Sequence, residues 1–230
     1  MLGLPDGVTA CLFDLDGVLT KTATVHARAW KQMFDGYLRE QGDERPFDEH
    51  DDYDTYVDGK PRSAGVRDFL ASRDLHPSDD EIARLGDIKN ELVLELIKTQ
   101  GVEAYPGSVR YLEAARDAGL RRAVVSSSHN CKDVLESAGI AHLLEERVDG
   151  VVADELHLQG KPHPDTFLEG ARRLGVAATE AAVYEDALAG VQAGHAGGFG
   201  RVVGVDRVGQ RDALLDHGAD IVVEDLEELL

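Results

Sequence analysis

Short apolar runs alternate with longer amphipathic segments along most of this chain. The runs at residues 8–13, 121–126, 182–184, 201–205 and 220–223 have the length and composition of strands, several of them buried on both faces. Helical periodicity separates several runs, for example from Pro106 to Gly119. This order predicts an α/β fold, with a doubly wound, mainly parallel, Rossmann-like sheet.

Residues 22–99 interrupt the alternation with helical periodicity alone. One amphipathic helix is predicted at residues 22–40, and Ser78 with Glu81 forms a capping box that opens a second long helix. Residues 41–60 are strongly acidic, and we expect most of them to be solvated surface. We therefore predict a helical cap domain at 21–100, inserted into a core domain of residues 1–20 and 101–230, with hinges near 20–22 and 101–104.

Two carboxylates, Asp14 and Asp16, follow the first predicted strand and precede Gly17. Ligands of open α/β sheets bind outside the carboxyl ends of the strands. Here one acid can hold a metal and act as a nucleophile while the other transfers protons. An isolated Asp-x-Asp-Gly is also an ordinary acidic turn, so the interpretation depends on the rest of the chain.

Two later strands also end in polar side chains. Glu185 and Asp186 end the run at 182–184, where they would complete an all-oxygen site for Mg²⁺. The strand at 121–126 ends in a polar cluster that offers either a phosphate cradle or ordinary helix caps. Its members are Ser126, Ser127, Ser128, His129 and Asn130.

Lys161 lies in a rigid loop with prolines at positions 162 and 164. A lysine held in this way suits a transferring phosphoryl group or a nucleophilic carboxylate. The alternative is a surface lysine beside a helix that begins at a proline.

The helical segment carries further candidates, each with a structural alternative. His26 and Trp30 share one helix face, and core packing is the alternative for Trp30. Arg62 suits a phosphate but could equally pair with the acids around it. Lys89 lies within an apolar stripe, either extending along a helix interface or reaching into a crevice.

Composition narrows the function classes. The chain has 230 residues and a net charge of -20, which argues against nucleic acid and anionic membranes as partners. Cys11 and Cys131 fit no metal-ligand spacing and are predicted to be reduced thiols. No secretion signal or membrane span is apparent in the sequence, so we expect a cytoplasmic monomer.

The ordered set Asp14-x-Asp16, Ser126, Lys161 and Glu185-Asp186 resembles the four motifs of the haloacid dehalogenase superfamily of phosphotransferases. The helical block is similar to the cap of that superfamily, so the resemblance covers nearly the whole chain. Within it, the β-phosphoglucomutase-like subfamily is indicated by a further set of motifs. These are Thr22, His26 and Trp30, the DGKPR loop at 58–62, Lys89-Asn90, Asn130, and residues 184–193.

The resemblance implies a role for each residue. Asp14 would become an aspartyl-phosphate, Asp16 would be the general acid and base, and Ser126 and Lys161 would hold the phosphoryl oxygens. The implied metal residues are Asp14, Asp16 through its carbonyl, Asp186, and Glu185 in an assisting role. The implied substrate-binding residues are Thr22, His26, Trp30, Gly59, Lys60, Arg62, Lys89, Ser127, Ser128, His129 and Asn130.

The implied activity is Mg²⁺-dependent conversion of a small phosphorylated sugar, β-D-glucose 1-phosphate, to glucose 6-phosphate, primed by glucose 1,6-bisphosphate. The alternative is a sugar-phosphate phosphatase. Asp16 favours transfer to oxygen over dehalogenation, and Arg62 as a second phosphate grip favours the mutase. A receiver-like signalling domain is about half this length, and a binding protein without catalysis would not be expected to retain Asp16 and Lys161 together. Lys21, Gly65 and His129 depart from the subfamily pattern, which leaves the sugar open.

Overall fold

The computed structural model describes residues 2–58 and 60–230. Within this part, six strands form one sheet in the order β3-β2-β1-β4-β5-β6, and every neighbouring pair is parallel. The strands are β1 (Ala10–Phe13), β2 (Arg121–Val125), β3 (Glu146–Val148), β4 (Ala181–Glu185), β5 (Arg201–Val205) and β6 (Ile221–Val223). The predicted α/β fold with a parallel sheet and a helical insertion is confirmed.

The described chain divides into two compact units. The α/β unit contains the residues up to Lys21 and Val102–Leu230, and the helical unit contains Thr22–Gly101 apart from Gly59. The two connecting segments pair with each other inside the α/β unit. Thr20 and Ala104 form an antiparallel bridge, and the Lys21 N–H donates to the Glu103 carbonyl at 2.8 Å.

The strands of the α/β unit are buried because helices separate them in the sequence and cover the sheet. The helical unit contains α1 (Ala23–Glu40), α2 (Arg62–Ser72) and α3 (Asp79–Gln100). The remaining helices are α4 (Pro106–Asp117), α5 (Cys131–Ser137), α6 (Gly150–Leu156), α7 (Asp165–Leu174), α8 (Leu188–Ala196) and α9 (Arg211–Asp216). Ala10, Cys11, Leu12 and Phe13 of β1 are completely buried, as expected for the middle of the sheet.

An aromatic cluster forms the core of the helical unit. The ring of Phe34 in α1 lies 5.2 Å from Trp30, 5.1 Å from Phe47 and 4.2 Å from Phe69. Phe47 and Tyr53 belong to the acidic segment 41–60, in which Tyr53–Val57 forms a π-helical turn. We expected most of this segment to be solvated surface because of its acidic composition. Part of it is exposed, but Phe47, Tyr53 and Val57 are buried in the core of the helical unit.

Several elements were not predicted. The strand Glu146–Val148 is short and lies at the sheet edge, where only Val148 is buried. The helix Arg62–Ser72 begins inside a segment read as a tight loop, because Pro61 immediately precedes its first turn. The helices Gly150–Leu156 and Cys131–Ser137 have about two turns each, too few for a clear period.

Both cysteines, Cys11 and Cys131, are buried free thiols. Burial raises the pKa of Cys11 to about 12, so this thiol is protonated and unreactive at neutral pH. Among the described residues, no helix has the length and apolar character needed to cross a membrane.

Replacing Phe34 by Ala is expected to destabilise the helical unit by about 3–5 kcal/mol, because a completely buried ring would leave a cavity among three others. Urea unfolding followed by far-UV circular dichroism measures the loss. The control is Leu94→Ala on α3, where the side chain is 37% exposed and the expected change is within about 1 kcal/mol. Equal effects of the two substitutions would contradict this packing.

Candidate active site

The candidate site lies at the carboxyl edge of the sheet in the α/β unit. Phe13 at the end of β1 is in register with Val124 of β2 and Tyr184 of β4. The next residue, Asp14, donates its backbone N–H to the Tyr184 carbonyl at 2.9 Å. Parallel pairing therefore brings the ends of three strands, with Asp14, Ser126 and Glu185, to one edge.

Lys161 connects these strand ends. Its buried ammonium donates to Asp14 Oδ1 and Glu185 Oε1, each at 2.5 Å, and to the Val125 carbonyl at 3.3 Å. Three bonds use all three N–H donors of a lysine. Its side chain is therefore committed to the two carboxylates, as one reading of the proline-rich loop predicted.

Burial and the attraction between Asp14 and Lys161 shift the pKa of each group in opposite directions. Burial raises the pKa of the Asp14 carboxyl well above its ordinary range, and the neighbouring carboxylates Glu185 and Asp16 add to this, while Lys161 opposes it. Burial by itself lowers the pKa of Lys161, but the charges of Asp14 and Glu185 outweigh it and raise the pKa. Lys161 is therefore positively charged at neutral pH.

The turn after Asp14 is held by its own backbone. The Thr20 hydroxyl and N–H donate to the Leu15 carbonyl at 3.1 and 2.9 Å, and Gly17 N–H donates to the Thr20 carbonyl at 2.8 Å. Ser108 of α4, completely buried, donates to the Val18 carbonyl at 2.6 Å. Asp16 is thus half-buried in a fixed turn, which the sequence indicated only by its Asp-Gly pair.

A divalent metal ion fits the acids of this edge. Asp14, Glu185 and Asp186 each offer a carboxylate oxygen, and these oxygens lie within 4.8 Å of one another. Hard carboxylate oxygens are the ligands that Mg²⁺ and Ca²⁺ prefer. Within this group, Glu185 Oε1 accepts from Lys161 and Glu185 Oε2 accepts from the Ala187 N–H, so both oxygens of this carboxylate are already hydrogen-bonded.

Two glycines make room for these acids. A Cβ at Gly17, which has a φ of +81°, would lie 1.7 Å from Asp186 Oδ2. A Cβ at Gly190 of α8 would lie 1.8 Å from Glu185 Oε1. The roles of Gly190 and Ser108 were not predicted, because the crowding at Gly190 depends on where the Glu185 side chain lies and the Ser108 bond reaches a residue 90 positions away.

The polar cluster after β2 forms a compact loop. The Ser126 hydroxyl accepts from the Ser128 N–H at 3.1 Å, and the Ser128 hydroxyl accepts from the Asn130 N–H at 3.2 Å. His129 lies 2.8 Å from the carboxylate of Asp154 on α6, measured from Nε2 to Oδ2. The hydroxyls of Ser126 and Ser128 therefore turn the backbone, and phosphate binding by this loop stays a prediction, as it does for half-buried Ser127.

His26, Trp30 and Lys89 lie together within the helical unit. Lys89 is only 6% exposed, and its ammonium lies 2.9 Å from His26 Nδ1 and 4.8 Å from the centre of the Trp30 ring. An ammonium only donates, so Nδ1 of a neutral His26 is the acceptor and its proton is on Nε2. Lys89 does not extend to solvent, and Trp30 belongs to the aromatic core.

The other predicted site residues of the helical unit have contacts of their own. Arg62 donates to the Gly86 carbonyl at 3.1 Å and to Asn90 Oδ1 at 3.2 Å, both on α3. Lys60 pairs with Asp68 at 2.8 Å. Thr22 is buried at the N-terminus of α1, and Gly59 lies outside the described residues.

A parallel sheet with several carboxylates gathered at its carboxyl edge is an arrangement typical of α/β enzymes. Residues 8–198 match the family of haloacid dehalogenase-like hydrolases. The chain therefore belongs to the haloacid dehalogenase-like hydrolase family.

Three relatives are informative. The chain is 52% identical to a beta-phosphoglucomutase of Mycobacterium tuberculosis, covering 100% of this chain and 94% of that protein. It is 30% identical to hexitol phosphatase A of Escherichia coli, covering 95% of this chain and 91% of that protein. A crystal structure of beta-phosphoglucomutase from Clostridium difficile superimposes with a TM-score of 0.82 at 26% identity, covering 97% and 93% of the two chains.

Replacing Gly190 by Ala is expected to displace the Glu185 side chain from Lys161, at a cost of about 1–3 kcal/mol in stability. Thermal and urea unfolding measure this change. The control is Gly36→Ala in α1, where a Cβ meets nothing within 4 Å and the better helix former is expected to stabilise by about 0.5–1 kcal/mol. If Gly190→Ala were as stable as Gly36→Ala, the predicted clash between the new Cβ and Glu185 would be contradicted.

Proposed function

We propose that this chain is a Mg²⁺-dependent phosphosugar mutase that converts β-D-glucose 1-phosphate to glucose 6-phosphate through glucose 1,6-bisphosphate. The observation that carries the proposal is the 52% identity to a beta-phosphoglucomutase over the full chain. The buried Asp14–Lys161–Glu185 cluster supports it, because a carboxylate beside an ammonium is a suitable phosphoryl acceptor. We further propose that the protein is a monomer and that it is cytoplasmic; the two free thiols support the cytoplasmic location.

In the proposed reaction, a carboxylate oxygen of Asp14 carries the phosphoryl group. The sugar C6 hydroxyl attacks this phosphorus, the bond to Asp14 breaks, and Asp16 takes the hydroxyl proton. After the bisphosphate reorients, Asp14 attacks the phosphorus at C1 and Asp16 returns the proton to the departing O1. Glucose 6-phosphate leaves and Asp14 is phosphorylated again.

The surrounding residues would hold the reacting atoms. Lys161 would redirect the N–H that it now donates to Asp14 Oδ1 toward a phosphoryl oxygen, and Ser126 would donate its hydroxyl to another. When bound by Asp14, Asp186 and the Asp16 carbonyl, Mg²⁺ supplies positive charge that reduces the repulsion between the carboxylate and the phosphate. Glu185 would keep Lys161 in position.

We propose that the helical unit binds the non-transferring part of the substrate. Arg62 is held by Gly86 and Asn90 on α3, and a fork of donors on a guanidinium suits a phosphate. Ser128 and Asn130 would assist, and Gly59 and Lys60 would line the sugar. His26, with its proton on Nε2, would donate a hydrogen bond to the substrate.

A sugar-phosphate phosphatase is the second candidate. It is favoured by the 30% identity to hexitol phosphatase A over 95% of the chain. The same Asp14 and Asp16 would serve, with water replacing the sugar hydroxyl as the attacking group. The two activities differ in whether the phosphoenzyme is protected from water.

Phosphorus NMR of the protein with β-glucose 1-phosphate, Mg²⁺ and a trace of glucose 1,6-bisphosphate distinguishes the two candidates. The mutase is expected to produce glucose 6-phosphate, faster with more bisphosphate, and to stop when EDTA removes the metal. Release of inorganic phosphate alone would refute the mutase and favour the phosphatase.

Asp14→Asn and Asp16→Asn are expected to fail at different steps. Asp14→Asn removes the phosphoryl acceptor, so no phosphoenzyme is expected from acetyl phosphate by mass spectrometry. Asp16→Asn is expected to form it, because acetate leaves without a proton, but to transfer it to the sugar about 10²–10⁴ times more slowly. Similar behaviour of the two variants would contradict the division of roles.

A further inference from the structure

The loop after β5 is unusually well held. The Asp206 Oδ1 atom accepts from the backbone N–H groups of Val208, Gly209 and Gln210 at 3.2, 2.7 and 2.9 Å. The Asp206 N–H itself donates to the Val223 carbonyl of β6 at 2.8 Å. These bonds set the direction in which the side chains of this loop leave the backbone.

Two side chains of the loop contact the two acidic segments. Arg207 Nε donates to the Gly17 carbonyl at 2.8 Å, one residue after Asp16. Gln210 Nε2 donates to the carbonyl of Asp186 at 3.0 Å. One loop therefore holds the turn after β1 and the end of β4.

The Arg207 guanidinium is fixed on several sides. It lies 3.7 Å from the centre of the Tyr105 ring, and Nη1 donates to the Glu224 carbonyl at 2.6 Å and lies 3.3 Å from Asp225 Oδ2. A guanidinium fixed by stacking on one ring and by three acceptor contacts has little freedom to move. Its bond to Gly17 is therefore a fixed constraint on the turn.

The two acidic segments touch, so small displacements matter. The Asp186 carboxylate occupies the space where a Cβ of Gly17 would lie. A shift of either backbone would change the separation between Asp14 and Asp186. Metal ligands depend on such supporting contacts for their geometry.

We propose that Arg207 and Gln210 are positioning residues, which hold the two acidic segments at the separation that a divalent cation requires. The inference rests on the proposed function, because it assumes that Asp14 and Asp186 bind the metal. It adds two residues that neither touch the cation nor belong to the four motifs.

Arg207 can act on metal binding through its positive charge or through its hold on the turn. These two contributions predict opposite changes in metal affinity when the side chain is removed. A cation near the acids repels a metal ion, so if charge were its only contribution, Arg207→Ala would tighten metal binding. If Arg207 positions the turn, the same substitution weakens metal binding. Arg207→Lys keeps the charge but loses the planar fork and the stacking on Tyr105, so it is expected to restore binding only partly.

The test measures Mn²⁺ binding by electron paramagnetic resonance of the free ion, with Mg²⁺ as competitor. Gln210→Ala and Arg207→Ala are each expected to raise the Kd about tenfold or more. The control is Arg211→Ala, which removes a neighbouring arginine that donates to the Val222 carbonyl, and is expected to keep the wild-type Kd. Circular dichroism establishes that each variant is folded at the temperature of the titration.

The outcomes separate the inference from the function it rests on. Wild-type protein that bound no Mn²⁺ would overturn the metal-dependent mutase and the inference with it. Wild-type binding with unchanged or tighter binding in Gln210→Ala and Arg207→Ala would overturn only the inference. If Arg207→Ala did not fold, Gln210→Ala and Arg207→Lys would decide, because each removes less of the contact network.

Discussion

The buried ammonium of Lys161 is the group on which the rest of this site depends. It bonds Asp14, Glu185 and the Val125 carbonyl, so each of its three protons has an acceptor from the end of a different strand. Two carboxylates buried this close would repel each other without the cation between them. The same contacts that allow these acids to be buried also fix the orientation of the Asp14 side chain.

The single positive charge of Lys161 does not balance the negative charge of the acids around it. Asp14, Asp16, Glu185 and Asp186 gather around one lysine, in a chain whose net charge is already -20. A phosphate would be repelled by such a site, whereas a divalent cation is attracted to it. A phosphorylated substrate can therefore bind at this acidic edge when a metal ion and nearby cations offset the repulsion.

Several residues support the site by donating hydrogen bonds to backbone carbonyls. Ser108 bonds Val18, Arg207 bonds Gly17 and Gln210 bonds Asp186, so the backbone of the segments that carry the acids is held at several points. The helical unit uses a comparable arrangement, in which α3 holds Arg62 through Gly86 and Asn90. In both units, the polar groups are held by several hydrogen bonds, which favours precise geometry.

The sequence by itself determined the strands, the helical insertion and the acids at the strand ends, because buried parallel strands have a distinctive composition and their carboxyl ends meet at one edge. It did not reveal the edge strand Glu146–Val148 or the burial of Phe47, since short polar elements and acidic segments carry weak periodic signals. Only tertiary structure decided that Lys161 bonds both Asp14 and Glu185, and that Arg207 reaches Gly17 across 190 positions. Such contacts depend on loop conformation and strand order, which no local pattern of residues encodes.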